Sequence, residues 1–108
     1  LSDLPNFFVF AGYTNASWTL KINLTNKYIS RVFKYLENKS YKFLKAKVNE
    51  DNLNSVPLLN LNSNYIHRTA KDFPNQGDKV PWKLYQNYIL DYKLLCIDKI
   101  KDRYLKFF

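Results

Sequence analysis

The chain has 108 residues, 46% of them hydrophobic and 18% aromatic, which suits one small globular unit and excludes a disordered tail; no apolar run nears the roughly 20 residues of a membrane span. Two glycines, one histidine and one cysteine exclude a dinucleotide fingerprint, a phosphate loop, a disulfide framework and a two-histidine metal site, and leave a reduced, cytoplasmic setting as the expectation. The net charge of +8 points to an anionic partner only if the cations cluster.

Leu4-Pro5-Asn6 reads as a turn, and Phe7-Phe8-Val9-Phe10-Ala11 is a continuous apolar run, the pattern of a short strand buried on both faces and ended by Gly12. Trp18, Leu20, Ile22 and Leu24 alternate as in a strand, whereas Tyr28, Ile29, Val32, Phe33 and Leu36 have helical spacing. A helix over about 15–37 accommodates the segment, with Asn15 or Ser17 as N-cap and Asn38-Lys39-Ser40 as the turn after it. Residues 41–48 are basic and mostly alternating, as expected of an edge strand with lysines toward solvent. Residues 49–64 hold six asparagines and Pro57 without a clear period, and read as loop. Residues 65–72 suggest a short helix stopped by Pro74 and Gly77. After Pro81, the residues Trp82, Tyr85, Tyr88, Ile89, Tyr92 and Leu95 recur three or four apart, predicting a helix with Pro81 at its start. Tyr104-Leu105 and Phe107-Phe108 suit a closing strand or docking tail.

No repeat or linker divides the chain, so 1–108 reads as a single unit with portions 1–40 (strand and long helix), 41–80 (strand and loop) and 81–108 (helix and tail). A lone doubly buried strand needs neighbours that only a larger sheet supplies. The expected fold is therefore an α/β fragment, the terminal β-α layer of a bigger domain plus a C-terminal helix and extension, not a complete doubly wound sheet.

Of the 17 cations, 14 are Lys, spread along the chain, and only Arg31, Arg68 and Arg103 carry the fork that base and phosphate recognition prefers. The lysines read as solvated positions, and a nucleic-acid partner is not expected. His67 has no visible partner and reads as a surface or capping residue. Cys96, beside apolar residues, reads as a buried, inert thiol.

The segment from Leu4-Pro5-Asn6 through Gly12-Tyr13-Thr14-Asn15-Ala16-Ser17-Trp18-Thr19-Leu20-Lys21 closely resembles the C-terminal part of the FAD- and NADPH-dependent monooxygenases of the Baeyer-Villiger group, in the branch of the ethionamide-activating enzymes. There P-N-x-x-x-x-x-G runs into Y-T-N-A-S-W-T-L-K and a long helix that places Tyr28 and Arg31 similarly. Pro81-Trp82-Lys83-Leu84-Tyr85-Gln86-Asn87-Tyr88 with Asp91 resembles the branch's P-W-[RK]-L-x-Q-N-Y-x-x-D block, and residues 102–107 its terminal D-x-x-L-x-F. The chain departs from the pattern at Asn23 (usually Asp), Ser40 (often Gly), Lys83 (more often Arg) and Cys96 (in a stretch normally rich in Arg), and its Asn-rich middle is not matched.

The resemblance implies the last layer of a Rossmann-like FAD-binding domain, in an enzyme that uses FAD, NADPH and oxygen to oxygenate a carbonyl or sulfur compound. Both nucleotide fingerprints lie upstream in such enzymes, so this chain alone is expected to be inactive, to bind neither FAD nor NADP, and to hold no catalytic residue and no metal. Its implied partner is the missing N-terminal part of the enzyme as a separate chain. By resemblance the turn Gly12, Tyr13, Thr14, Asn15, Ala16, Ser17 and Trp18 lies against the flavin. Gly12 permits close backbone approach, and the helix start offers N–H groups to electron-rich atoms. Thr14, Asn15 and Ser17 serve equally well as helix caps, and Trp18 reads as core before substrate wall. Trp82, Tyr85 and Tyr88 read as packing, and Gln86, Asn87 and Asp91 as hydrogen-bonded ties of loops and helix ends. The alternative is a small basic helical interaction module for a protein or nucleic-acid partner. The two differ over Phe7 to Phe10, exposed in a complementing fragment and buried in a standalone module.

Overall fold

The structure is a computed structural model that describes residues 2–48, 53–58, 72 and 74–108. It is a small α/β arrangement in which contacts define two compact units, Leu1–Val48 with Tyr85–Phe108, and Asn49–Leu84.

In the first unit, helix α1 (Trp18–Asn38) resolves the conflict of periods in favour of the helix. Lys21, Leu24, Val32 and Leu36 are its buried residues and share one stripe, whereas Trp18 and Leu20, which strand alternation would bury, are exposed. Ser17 occupies the N-cap position, but its side chain makes no capping bond; its Oγ lies 2.8 Å from Thr19 Oγ1. At the other end the Tyr41 N–H donates to the Leu36 carbonyl (2.9 Å) and the Ser40 N–H to that of Glu37 (3.1 Å). This is a Schellman closure with Ser40 in the left-handed region, φ 55°, where glycine is the unstrained choice. Ser40→Gly is therefore expected to stabilise the chain by about 1 kcal/mol, read as a higher midpoint in urea; an unchanged or lower midpoint contradicts the closure.

Strand β1 (Leu44–Ala46) pairs antiparallel with β4 (Leu105–Phe107), with Leu44 opposite Phe107 and Ala46 opposite Leu105. The 41–48 segment and the C-terminal patch thus form a strand pair, as expected. Val32, Leu36 and Leu44 form the core, with Phe8, Tyr28, Tyr41, Ile100, Leu105 and Phe107 packed against it. Along β1 run residues 2–6, where the Asp3 N–H donates to the Ala46 carbonyl (2.7 Å) and Asn6 Oδ1 accepts from the Leu44 N–H (3.0 Å).

The apolar run Phe7–Ala11 does not form the expected strand. Phe7, Val9 and Phe10 are 50%, 49% and 44% exposed, and only Phe8 packs inward, edge-on to Phe33 at 6.2 Å. A doubly buried strand needs a strand beside it and cover on both faces, and the described residues supply neither. All described strands pair antiparallel, in two sheets of two.

The C-terminal helix begins six residues later than the aromatic spacing predicts. Asn87, with extended backbone, accepts the Leu90 N–H on Oδ1 (3.1 Å) and so caps α2 (Tyr88–Tyr92), which continues as a π-helical stretch, Lys93–Ile97. Trp82 and Tyr85 precede it, and Tyr88, Ile89 and Tyr92 are exposed; Asp91 is the one α2 residue that is buried.

In the second unit, β2 (Ser55–Pro57) pairs antiparallel with β3 (Asn75–Gly77), which corrects the loop expected around Pro57. Trp82 turns back on this pair: its carbonyl accepts the Gly77 N–H at 3.0 Å, and its own N–H reaches the Lys79 carbonyl at 2.9 Å. Pro81 therefore sits in a turn instead of starting a helix. Asp78 accepts from the Asn54 Nδ2 (2.8 Å) and backbone N–H (3.1 Å), which hold its carboxyl below the usual range. His67 and nearly all of the helix expected over 65–72 lie outside the described residues.

Candidate functional site

The turn from Gly12 to Ser17 and the start of α2 meet although more than 70 residues separate them in sequence. Tyr13, 4% exposed, donates its hydroxyl to Asp91 Oδ2 at 2.6 Å. The same oxygen lies 2.7 Å from Lys21 Nζ, with both side chains below 10% exposure. Lys21 reaches this point because it lies on the buried stripe of α1, and its ammonium also sits 5.3 Å from the centre of the Tyr13 ring. The carboxylate and ammonium neutralise each other where water cannot, and the phenol occupies a remaining acceptor position. Burial, then the hydrogen bond and charge of Asp91, push the Tyr13 hydroxyl far above its ordinary range, so it is a fixed donor.

Next along the turn, the Thr14 N–H donates to Gln86 Oε1 (2.9 Å), and the Thr14 hydroxyl reaches the same oxygen (3.3 Å). Asn15 Nδ2 donates to the Gln86 backbone carbonyl at 3.5 Å. Asn15 is thus a cross-link and not the helix cap. Ala16 and Ser17 are exposed. Trp18 is 55% exposed, against the expectation that it belongs to the core, because the inward stripe of α1 begins at Lys21. Its indole instead covers Gly12, where a Cβ would fall within 2.5 Å of the ring's Cγ and Cε3. The close approach that Gly12 permits is therefore to Trp18.

Gln86, Asn87 and Asp91 act as the ties expected of them: turn to helix, helix cap, and turn to both helices. Lys21 was missed. It ends the first motif block, but in a Lys-rich chain a helical lysine reads as solvated.

Elsewhere in this unit, Arg31 closes the π-helical stretch by donating to the carbonyls of Leu95 (2.6 Å) and Asp98 (2.7 Å). Beside it, a shallow depression of about 440 Å³ is bordered by Lys27, Arg31, Lys34, Tyr92 and Cys96. Cys96 is half-buried there, less enclosed than expected. Burial, then the charge of Asp102, push the Tyr28 phenol up to about 12. Among the described residues no group of three or more His, Cys, Asp or Glu side chains is placed to hold a metal ion, and no helix is long and apolar enough to cross a membrane.

No family model matches the chain, and no solved structure matches it. Curated proteins do. Over 99% of its length it is 35% identical to the FAD-containing monooxygenase EthA of Mycolicibacterium smegmatis. It is 36% identical to the probable FAD-binding monooxygenase AlmA of Acinetobacter baylyi, and 35% to the putative FAD-containing monooxygenase MymA of Mycobacterium tuberculosis. In each case the chain spans 22% of the relative's length.

Proposed function

We propose that this chain, homologous along 99% of its length to a C-terminal segment of the FAD-containing monooxygenases, completes the FAD site of such an enzyme and is inactive alone. The observation that carries the reading is the exposed row Phe7, Val9 and Phe10 leading into the buried Gly12 and Tyr13. It is an apolar run with the pattern of a sheet interior and, among the described residues, no strand beside it, and the partner that fits it is the remainder of the enzyme. That remainder holds the nucleotide fingerprints, and with them the chain becomes the last β-α layer of a Rossmann-like domain. A standalone interaction module would bury this row.

The turn suits a flavin in its chemistry. Thr14, Asn15, Ala16 and Ser17 present exposed polar and backbone groups. The α1 N-terminus behind them has neither a side-chain cap nor an acidic residue in its first turn, so its N–H dipoles stay available to electron-rich atoms. In this reading Thr14 to Ser17 contact the cofactor, while Gly12 and Tyr13 support the turn from behind and Trp18 shields it. When bound, FAD supplies the redox chemistry, with NADPH as reductant and oxygen as co-substrate, for a Baeyer-Villiger-type or sulfur oxygenation. The chain's own part is to position the turn, exclude water with Trp18 and keep the Tyr13 proton in place.

The test is co-expression with the polypeptide that supplies the rest of the enzyme, purification through this chain, and a visible absorbance spectrum. A yellow complex that oxidises NADPH, with a colourless chain when purified alone, is the expected result. A complex that forms in stoichiometric amount yet carries no flavin overturns the reading.

A further inference from the structure

We infer that Gln86 is a positioning residue for the flavin, a latch that holds the 13–15 turn in its cofactor-facing conformation; this rests on the function proposed above. The turn is not closed by a side-chain cap: Ser17 makes no capping bond, its Oγ lying instead against Thr19 Oγ1, and Thr14, Asn15 and Ser17 are all exposed. Besides the buried Tyr13–Asp91 bond, three hydrogen bonds hold it in place, and these three end on Gln86, which takes the Thr14 N–H and hydroxyl on Oε1 and the Asn15 amide on its backbone carbonyl. The amide orientation is fixed by chemistry, since only Oε1 can accept an N–H. Gln86 is itself anchored by its neighbour Asn87, whose cap on Leu90 starts α2, and by Asp91 one turn further on, which ties Tyr13 and Lys21.

Gln86 is exposed and touches the segment that carries the exposed polar groups. Its effect should therefore fall on cofactor affinity before stability. Preorganising a loop in its bound conformation strengthens binding by removing the ordering cost, and a loop released from a latch loses that advantage.

The experiment uses the flavin-loaded complex with the rest of the enzyme, carrying Gln86→Leu or Gln86→Glu. Leucine removes the acceptor; glutamate keeps it. The expected result is a rise of roughly tenfold in the FAD dissociation constant for Q86L, with Q86E within about twofold of the parent. In the unaltered chain the Thr14 amide should be protected from exchange and lose that protection in Q86L, while amides of residues 24–36 keep theirs. If Q86L binds FAD like the parent, or both variants weaken it equally, the latch is wrong while the proposed function stands. A parent complex without flavin overturns both together.

Discussion

Asp91→Ala is expected to cost about 3–5 kcal/mol of unfolding free energy, because it leaves the Lys21 ammonium buried without a counter-charge and the Tyr13 hydroxyl without an acceptor. A chain of this size has total stability on the order of 5–10 kcal/mol, so the variant should sit close to its unfolding midpoint at room temperature. The sign follows from what remains behind. The pair itself contributes little net stability, since the attraction only repays desolvation of two ions, but removing one ion leaves the penalty of the other intact. The double substitution Lys21→Met with Asp91→Leu is accordingly expected to recover most of the loss, although Tyr13 still lacks its acceptor. Urea unfolding followed by far-ultraviolet circular dichroism separates the cases. A loss below about 1 kcal/mol for Asp91→Ala would place the trio in water, and a double variant as unstable as the single would remove the buried charge as the cause.

The same trio marks the limit of what the amino-acid order discloses. Tyr13, Lys21 and Asp91 lie in the two segments most recognisable by resemblance, yet nothing local links residue 13 to residue 91. Hydrophobic periodicity reports which face a helix buries, not which distant residue it meets. The ties of Gln86, Asn87 and Asp91 are legible because they are the hydrogen-bonding side chains interleaved with the aromatic stripe of that block. Lys21 was not, because its burial depends on the single carboxylate brought to it by α2.

Elsewhere the structure departs from the sequence pattern for separate reasons. Aromatic spacing from Trp82 to Leu95 fits one helix, but the Asn87 side chain captures the Leu90 N–H and starts α2 there, while Trp82 is held in a turn by Gly77 and Lys79. Ser55-Val56-Pro57 and Asn75-Gln76-Gly77 are strands built of turn-forming residues, and three residues are too few to display a period. For Phe7 to Ala11 the apolar pattern predicts a buried strand, and the structure leaves the run largely exposed and unpaired. The run is suited to a sheet interior, and the described residues offer no sheet to receive it.

Gly12→Val is the substitution expected to act most strongly on function. The new side chain would occupy the volume of the Trp18 indole, and Trp18 must swing away. Because Trp18 is already 55% exposed, the displacement should cost only about 1–3 kcal/mol of stability, and the chain should still fold and bind the partner proposed for it. The larger effect is on the turn, whose backbone between Tyr13 and Ser17 loses the ring that covers it, so flavin incorporation into the complex is expected to fall at least tenfold. Adding Trp18→Ala distinguishes the two possible causes. If the glycine is needed only to seat the indole, Gly12→Val with Trp18→Ala should be as stable as Trp18→Ala alone, and the flavin content of the two should also be the same. If the flavin or the turn itself needs the bare Cα, the double variant matches Trp18→Ala in stability and carries less flavin than it. Stability and flavin content measured on the four proteins of that cycle therefore separate a packing role for Gly12, under which the double variant matches Trp18→Ala in both quantities, from a cofactor role, under which it matches in stability alone.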